Sequence, residues 1–296
     1  MYNINSEFYK VFDDEEFNAF IDKTYLKLEN IKEKRDYNKI KYDVDSILNK
    51  YPVKYEFCVG IFGIPGSGKT TLAKEIAEEK GIEILSTDKF LAEIREDKIR
   101  EENQSFPSPS GKSDDFRKHE YKTIACLILS GLANNKILDF GGKALLQPGL
   151  VLISQKVFGD RLINLSIDDE DRVYNLIQDA VILGDKSFRN TIKSDVNADK
   201  TVTKENLEKL KKECVQLISE YGSLVKAKDK IKELKEYETF KKLYEICKKY
   251  DDPNRWGKEI FDEISEGLPF EKASYELSNK LKLNNKKNNI SISQSL

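Results

Sequence analysis

Residues 63–70 read Gly-Ile-Pro-Gly-Ser-Gly-Lys-Thr and fit the pattern G-x-x-x-x-G-K-[ST] at every fixed position. An apolar run rich in β-forming residues, 55–62, comes directly before this stretch, and a pattern with helical spacing, 70–80, follows it. Strand, glycine-rich loop and helix in this order are the context in which the pattern binds the phosphates of a nucleoside triphosphate. A chance glycine turn before a helix is the alternative. The strand, the loop and the helix follow one another directly, which argues against it.

The loop predicts a set of phosphate and metal contacts. Its glycines allow backbone N–H groups to turn inward around phosphate oxygens, and the positive end of the next helix favours the same anion. Lys69 is expected to reach the β- and γ-phosphates as a catalytic residue, and Thr70 to hold Mg²⁺ through its hydroxyl. ATP and Mg²⁺ are therefore the expected cofactors. The predicted nucleotide-binding residues are Gly63, Pro65, Gly66, Ser67, Gly68, Lys69, Thr70 and Thr71.

Strands and helices alternate after the loop, and this alternation predicts the fold class. Short apolar runs at 82–85, 136–140 and 161–165 are predicted strands, and helical patterns lie between them. Such alternation is typical of a parallel sheet with helices on both faces. The predicted fold is the α/β class of P-loop NTPases, a three-layer α/β/α arrangement around a parallel sheet of about five strands.

Both ends of the chain carry helical patterns outside this core. Apolar residues recur at three- and four-residue steps before residue 54, and the acidic run at 13–16 is interpreted as a solvated face. The tail is polar and rich in Asn and Lys, so we expect it to be disordered. The predicted division is a helical extension over 1–54, a kinase-like domain over 55–228, a second helical extension over 229–280 and the tail over 281–296.

Charge and cysteine content exclude several kinds of protein. Lys and Arg number 50 against 52 Asp and Glu, so no overall positive field attracts nucleic acid, which is not an expected partner. Four cysteines without a CxxC, together with a single histidine, argue against a structural zinc site. The sequence shows neither an apolar run of membrane-spanning length nor a signal peptide. We therefore expect no membrane contact and a cytoplasmic location, in the cell of origin or in a host.

Two acidic residues follow predicted strands, at the positions where open α/β sheets bind ligands. Asp88, after the strand at 82–85, is suited to accept a proton from a substrate hydroxyl or to position Mg²⁺. Capping the next helix is the alternative role for this carboxylate. Asp139, at the end of the strand at 136–140, is expected to help Thr70 to hold Mg²⁺, although a solvated strand end is equally compatible with the sequence.

Three short segments together resemble the shikimate kinase family, which has a small fold like that of P-loop nucleoside-monophosphate kinases. They are Ser86-Thr87-Asp88, Phe116-Arg117-Lys118-His119-Glu120 and Gly141-Gly142, and the resemblance extends from about residue 59 to about residue 224. It implies that Asp88 contacts the acceptor hydroxyl and that Arg117, supported by Glu120, grips a carboxylate.

The same resemblance implies two further roles. Gly141 and Gly142 would let the substrate approach the backbone and would offer an N–H to a ligand oxygen. Residues 184–190 resemble the family's mobile lid, in which Arg189 would move onto the ATP phosphates as a catalytic residue.

The chain departs from that family at several positions. Ser86 stands where the family carries an acid, and Lys143 replaces a third glycine. Cys214 falls where a second carboxylate-binding arginine is expected, and a thiol cannot make that contact. The predicted function is therefore ATP-dependent transfer of the γ-phosphoryl group to a hydroxyl of a small anionic molecule, without the acceptor being fixed as shikimate.

Two other functions stay open at this point. A zeta-toxin-like or nucleotide kinase would share the loop and the acid after the second strand. A nucleotide-binding regulatory protein with decayed kinase chemistry would account for Ser86 and Cys214. The helical extensions could reshape the acceptor pocket or bind a protein partner.

Overall fold

The computed structural model describes residues 4–27, 37–64, 66–102, 114–141, 147–178, 204–239, 241 and 267–279. Several predicted features lie outside these ranges. They are Pro65, Gly142, the lid segment with Arg189 and the tail over 281–296. Within the described ranges, no helix combines the length and the apolar character that crossing a membrane requires.

The elements follow the predicted alternation. The helices α1 (Ser6–Phe12), α2 (Glu15–Thr24) and α3 (Tyr37–Lys50) precede the first strand, and the core then runs β1 (Cys58–Gly63), α4 (Lys69–Lys80), β2 (Glu83–Ser86), α5 (Thr87–Glu102), α6 (Asp114–Leu129), β3 (Lys136–Asp139), α7 (Pro148–Phe158), β4 (Leu162–Leu165) and α8 (Asp169–Gln178). Helices Lys204–Tyr221 and Leu224–Lys232 follow, and residues 270–279 are also helical.

Within the described ranges, four strands form one parallel sheet in the order β2-β3-β1-β4, compared with the predicted sheet of about five strands. β1 pairs with β3 on one side and with β4 on the other, and Ile61 lies opposite Asp139. Ser86, the last residue of β2, also pairs with Asp139. The carboxyl ends of β1, β2 and β3 therefore meet at one end of the sheet, where ligands bind in open α/β folds. The predicted α/β fold of a P-loop NTPase is confirmed.

The N-terminal helices bury the apolar face that the sequence predicts, but they do so as two helices with a break between them. Their aromatic and aliphatic residues Phe8, Phe12, Phe17, Phe20 and Ile21 are each at most 5% exposed. Asp14 ends the break by capping α2, because its Oδ1 accepts a hydrogen bond from the amide of Phe17 at 2.8 Å. The same carboxylate pairs with Lys50 of α3 at 3.0 Å. Asp13, Glu15 and Glu16 are exposed, as expected for a solvated face, and Asp14 within the same run also caps a helix.

These helices are joined to the core by buried polar contacts. The hydroxyl groups of Thr24 and Tyr121 lie 2.8 Å apart, and both side chains are buried. The Gln147 side chain bonds both backbone groups of Leu26, since its Oε1 accepts from the amide at 2.9 Å and its Nε2 donates to the carbonyl at 3.1 Å. Residues 4–27 therefore pack as part of the domain that holds the sheet.

A distant C-terminal segment also joins the sheet. Leu268 forms a parallel bridge with Leu165, donates its amide to the carbonyl of Asn164 at 2.7 Å and accepts from the amide of Ser166 at 2.9 Å. The helix at 270–279 then packs Ala273 and Leu277 into the core between the sheet and α4. This placement differs from the predicted division, in which residues 229–280 form a separate helical extension.

The chain divides into two compact units, and residues 65–67 and 167–252 form the second. Within that unit, Lys232 pairs with Glu170 at 3.0 Å, and the rings of Tyr174 and Tyr237 lie 6.2 Å apart. Cys214 is only 3% exposed, and burial, assisted by the charge of Glu213, raises the pKa of its thiol to about 11. Cys214 is therefore a neutral core residue in this unit.

Candidate functional site

The loop after β1 adopts a conformation that only glycine takes easily. Gly66 and Gly68 have φ angles of +84° and +89°, in the left-handed region where a Cβ would be strained. Gly68 is the N-cap of α4 and, as a glycine, has no side chain that could cap this end of the helix. The first turn of α4 therefore begins at the loop without a capping side chain from its N-cap residue, which is the arrangement found where helix amides bind an anion.

Lys69 folds back onto the loop that precedes it. Its Nζ donates a hydrogen bond to the carbonyl of Ile64 at 3.2 Å. Its positive charge also lowers the pKa of Asp139, so the ammonium group lies within electrostatic reach of that carboxylate. Lys69 is consequently positioned between the loop and the end of β3.

Thr70 and Asp139 are joined by a direct side-chain hydrogen bond. The Thr70 hydroxyl donates to Oδ2 of Asp139 at 2.8 Å, and Asp139 is only 7% exposed. Burial raises the pKa of Asp139 above 3.8, the Thr70 hydrogen bond and Lys69 lower it, and the charge of Asp88 raises it further. Two carboxylates therefore share this end of the sheet with one ammonium group.

Asp88 lies against the backbone of Gly141. A Cβ placed on Gly141 would stand 3.0 Å from Cγ of Asp88 and 3.1 Å from its Oδ2, which is tighter than ordinary van der Waals contact. Since α5 begins at Thr87, Asp88 lies inside the first turn of that helix rather than at the N-cap position. The structure thus brings Asp88, Gly141 and Asp139 together, as the strand-end argument predicts.

Thr87 links the two strand ends and was missed as a site residue. Its side chain is fully buried, and its hydroxyl donates to the carbonyl of Asp139 at 3.3 Å and accepts from the amide of Gly141 at 2.8 Å. The Gly141 amide is therefore engaged within the protein, so of the two glycines only Gly142, outside the described residues, is left to offer the N–H that the sequence leads us to expect for a ligand oxygen. What Gly141 contributes is space for the Asp88 carboxylate. The only sequence signal for Thr87 was a hydroxyl residue between a strand and an acid.

Arg117 has an unsatisfied guanidinium nitrogen in the first turns of α6. Its Nη1 is buried and has no hydrogen-bond partner among the residues that the structure describes. No ion pair between Arg117 and Glu120 is seen within the same ranges, so the support of Arg117 by Glu120 stays a prediction. A buried cationic nitrogen without a partner is costly, and an anion would relieve that cost.

In the second unit, the apex of the loop contacts α8. Nδ2 of Asn175 donates to the carbonyl of Gly66 at 2.8 Å, and Arg172, 4% exposed, lies three residues earlier on the same helix face. The Ser67 hydroxyl is buried and lacks a hydrogen-bond partner within the described part of the chain. The contact of Asn175 was not predicted, because nothing in the local sequence marks the partner of a loop about 100 residues earlier.

The side chains at the end of β3 suit a magnesium ion better than a softer metal. Mg²⁺ prefers oxygen ligands and usually keeps phosphate oxygens and waters in its shell. Thr70 and Asp139 supply one hydroxyl and one carboxylate oxygen within 2.8 Å of each other. Among the described residues no group of three or more His, Cys, Asp or Glu side chains surrounds a metal position.

Comparison with known proteins supports the broader class. A family model for the AAA domain matches residues 59–136, from β1 to the start of β3. No curated protein matches the chain, and no solved structure does. The sheet, the loop and this match together identify a P-loop NTPase-type domain, a class that includes kinases. The match does not single out the shikimate kinase family.

Proposed function

We propose that this chain is an ATP-dependent phosphotransferase that moves the γ-phosphoryl group to a hydroxyl of a small anionic molecule. The observation that carries the proposal is the pair of carboxylates beside the phosphate loop, Asp139 bonded to Thr70 and Asp88 next to Gly141. One acid beside Thr70 suffices to position a metal. A second acid at the same end of the sheet supplies a group that can act on an acceptor.

Each side chain has a distinct task in this proposal. Lys69 and the first amides of α4 hold the β- and γ-phosphates, and Thr70 and Asp139 hold the metal. When bound, Mg²⁺ neutralises negative charge on the phosphate oxygens. Asp88 orients the acceptor hydroxyl and takes its proton while the acceptor oxygen forms a bond to the γ-phosphorus. The bond from that phosphorus to the β,γ-bridging oxygen breaks, and ADP leaves.

Arg117 supports an anionic acceptor. Its buried, unpartnered Nη1 needs a negatively charged or strongly polar group, and a guanidinium fork suits a carboxylate or a phosphate. α6, which carries Arg117, contacts α5, which carries Asp88 in its first turn. The acceptor is thus proposed to present its hydroxyl to Asp88 and its anionic group to Arg117.

The proposal is tested with two variants of the site. Lys69→Ala should abolish turnover and greatly weaken Mg·ATP binding, whereas Asp88→Asn should abolish turnover but leave Mg·ATP affinity within about twofold. ADP release is measured with shikimate, nucleosides, nucleotides and UDP-sugars as acceptors, and binding by calorimetry. The exposed Asp115, on α6, provides the control variant Asp115→Asn, which should behave as the wild type.

The outcomes separate the alternative functions. Transfer to nucleotides or UDP-sugars alone would favour a nucleotide kinase or a zeta-toxin-like enzyme. Tight ATP binding without acceptor-dependent ADP release across the panel would favour a regulatory nucleotide-binding protein. Near-normal transfer by Asp88→Asn would show that the role assigned to Asp88 is wrong.

A further inference from the structure

The ring of Phe270 lies beside the phosphate loop. If Gly68 carried a Cβ, that atom would be 3.1 Å from Cδ2 and 3.3 Å from Cε2 of Phe270. Gly68 is the N-cap of α4, the residue at which the helix amides turn toward a phosphate. An aromatic ring therefore stands next to the position where the phosphate chain of a nucleotide would bind.

The backbone holds this ring in place from both sides. On its N-terminal side, Leu268 is hydrogen-bonded to Asn164 and Ser166 at the carboxyl end of β4. On its C-terminal side, the helix at 270–279 is fixed to α4, since the Ser278 hydroxyl donates to Oε2 of Glu79 at 2.8 Å. The ring is thus presented from a fixed segment, and little ordering is needed before a ligand stacks on it.

Along the helix at 270–279, the apolar side chains become less buried where the helix meets the phosphate loop. Ala273 and Leu277 are completely buried against α4, whereas Phe270, on the same helix face, is only partly buried. The buried face of this helix therefore reaches the protein surface at Phe270, next to Gly68 of the phosphate loop. An aromatic surface left partly exposed at that point is suited to a flat, polar-edged partner.

We infer that Phe270 binds the base of the nucleotide by stacking, which makes it a determinant of affinity for nucleoside triphosphates over inorganic polyphosphates. This inference rests on the proposed function, because it places the phosphates of the same nucleotide on the loop at Gly68. The ribose and the α-phosphate separate the base from that loop by only a few bonds. Stacking on an aromatic side chain tolerates any base, because every base has a π-face. ATP and GTP are therefore both expected to bind through Phe270.

Calorimetry with Mg·ATP and with magnesium tripolyphosphate tests the inference. Phe270→Ala and Phe270→Leu should weaken Mg·ATP binding by about tenfold or more, the loss expected for one stacked base. Phe270→Tyr should restore it, and tripolyphosphate affinity should change by less than about twofold in all three variants. Tyr275, on the same helix and 71% exposed, provides the control Tyr275→Ala, which should bind both ligands as the wild type does.

Three results would overturn the inference. Phe270→Leu keeps the apolar packing of the side chain but removes the ring. If this variant bound Mg·ATP as well as the wild type does, or better, stacking would be excluded. Equal losses of ATP and tripolyphosphate would show that the ring only shapes the loop. A wild type that binds tripolyphosphate and ATP equally well would exclude a base contact. If the wild type binds neither ligand, the proposed function itself is wrong. This result is distinct from the three above, which overturn only the role of Phe270.

Discussion

Thr70 donates a hydrogen bond to Asp139 across 2.8 Å, although 69 residues separate them in the chain. The contact joins the first turn of α4 to the end of β3, and it exists because β3 pairs directly with β1. Burial raises the pKa of Asp139 despite the opposing effects of Thr70 and Lys69, so its ionised form is unfavourable in the ligand-free protein. Under the proposed function, this unfavourable burial is the stability that the protein loses in order to bind Mg²⁺ and nucleotide.

Asp139→Asn should melt at the same temperature as the wild type or higher at pH 7 without ligand, because a neutral amide avoids the unfavourable buried charge. Under the proposed function, Mg·ATP should raise the melting temperature of the wild type, and the same variant should lose that rise. Thermal melts with and without Mg·ATP measure both effects. Thr70→Ser keeps the hydroxyl and serves as the control. A clear destabilisation of ligand-free Asp139→Asn would contradict the assigned electrostatic cost.

The pH dependence of Mg·ATP binding should follow the ionisation of Asp139. Its folded-state pKa lies above the ordinary 3.8, so its effect on stability is favourable below pH 3.8 and is lost as the pH rises through the raised value. Metal binding needs the ionised form, so affinity should fall as the pH is lowered toward that raised pKa. Calorimetric titrations across this range, compared with Asp139→Asn, separate this effect from titration of the nucleotide. If the Mg·ATP affinities of the wild type and Asp139→Asn changed with pH at the same rate, Asp139 would not be the group that controls binding.

Gly141→Ala should reduce transfer through Asp88. The new Cβ would stand 3.0 Å from Cγ of Asp88, so the carboxylate has to move, and a misplacement of about 1 Å costs on the order of a hundredfold in rate. Mg·ATP affinity should stay within about twofold, because the phosphate loop is untouched. In a double-mutant cycle with Asp88→Asn, the second substitution should add no further loss. Additive losses would mean that Gly141 acts by another route.

Thr87→Val should destabilise the strand ends at nearly constant side-chain volume. Removing the hydroxyl leaves the amide of Gly141 and the carbonyl of Asp139 without this partner in a buried position. The expected loss is about 1–3 kcal/mol in the free energy of unfolding, measured by urea denaturation. Thr87→Ser keeps the hydroxyl and should recover most of the loss. An unchanged midpoint for Thr87→Val would show that water replaces the link at no cost.

Gln147→Ala should lower the free energy of unfolding more than a substitution that removes a surface ion pair. It leaves both backbone groups of Leu26 without their side-chain partner, with an expected cost of about 1–3 kcal/mol. The comparison is Lys156→Ala on α7, the helix that begins directly after Gln147. This variant removes an exposed pair with Asp45 at 3.0 Å and should cost less than about 1 kcal/mol. Urea midpoints that rank the two variants in the opposite order would contradict this account.

The features that sequence predicted well are local ones. Strand, loop and helix around Lys69 follow each other without interruption, so their spacing alone fixes the glycine conformations and the helix start. Asp88 and Asp139 could be placed as strand-end acids, because parallel strands bring their carboxyl ends together whatever their order.

The missed features depend on which strands are neighbours. The role of Thr87 requires β2 to lie beside β3, and no periodicity encodes that order. Leu268 makes a single bridge about 100 residues after its partner Leu165, too short a contact to produce an alternating pattern. No described residue bonds the buried Arg117 nitrogen, so neither the sequence pattern nor the packing of the described residues identifies a partner for it.

The bridge between Leu165 and Leu268 also has a consequence for how the molecule is made. The segment that flanks the phosphate loop is synthesised about 100 residues after the last strand of the sheet, so a nascent chain can form β1 to β4 well before this neighbour exists. Contacts of such long sequence separation form late and slowly. Until then, the apolar flank of α4 that Ala273 and Leu277 will cover faces water, and it is the surface on which a chaperone would act.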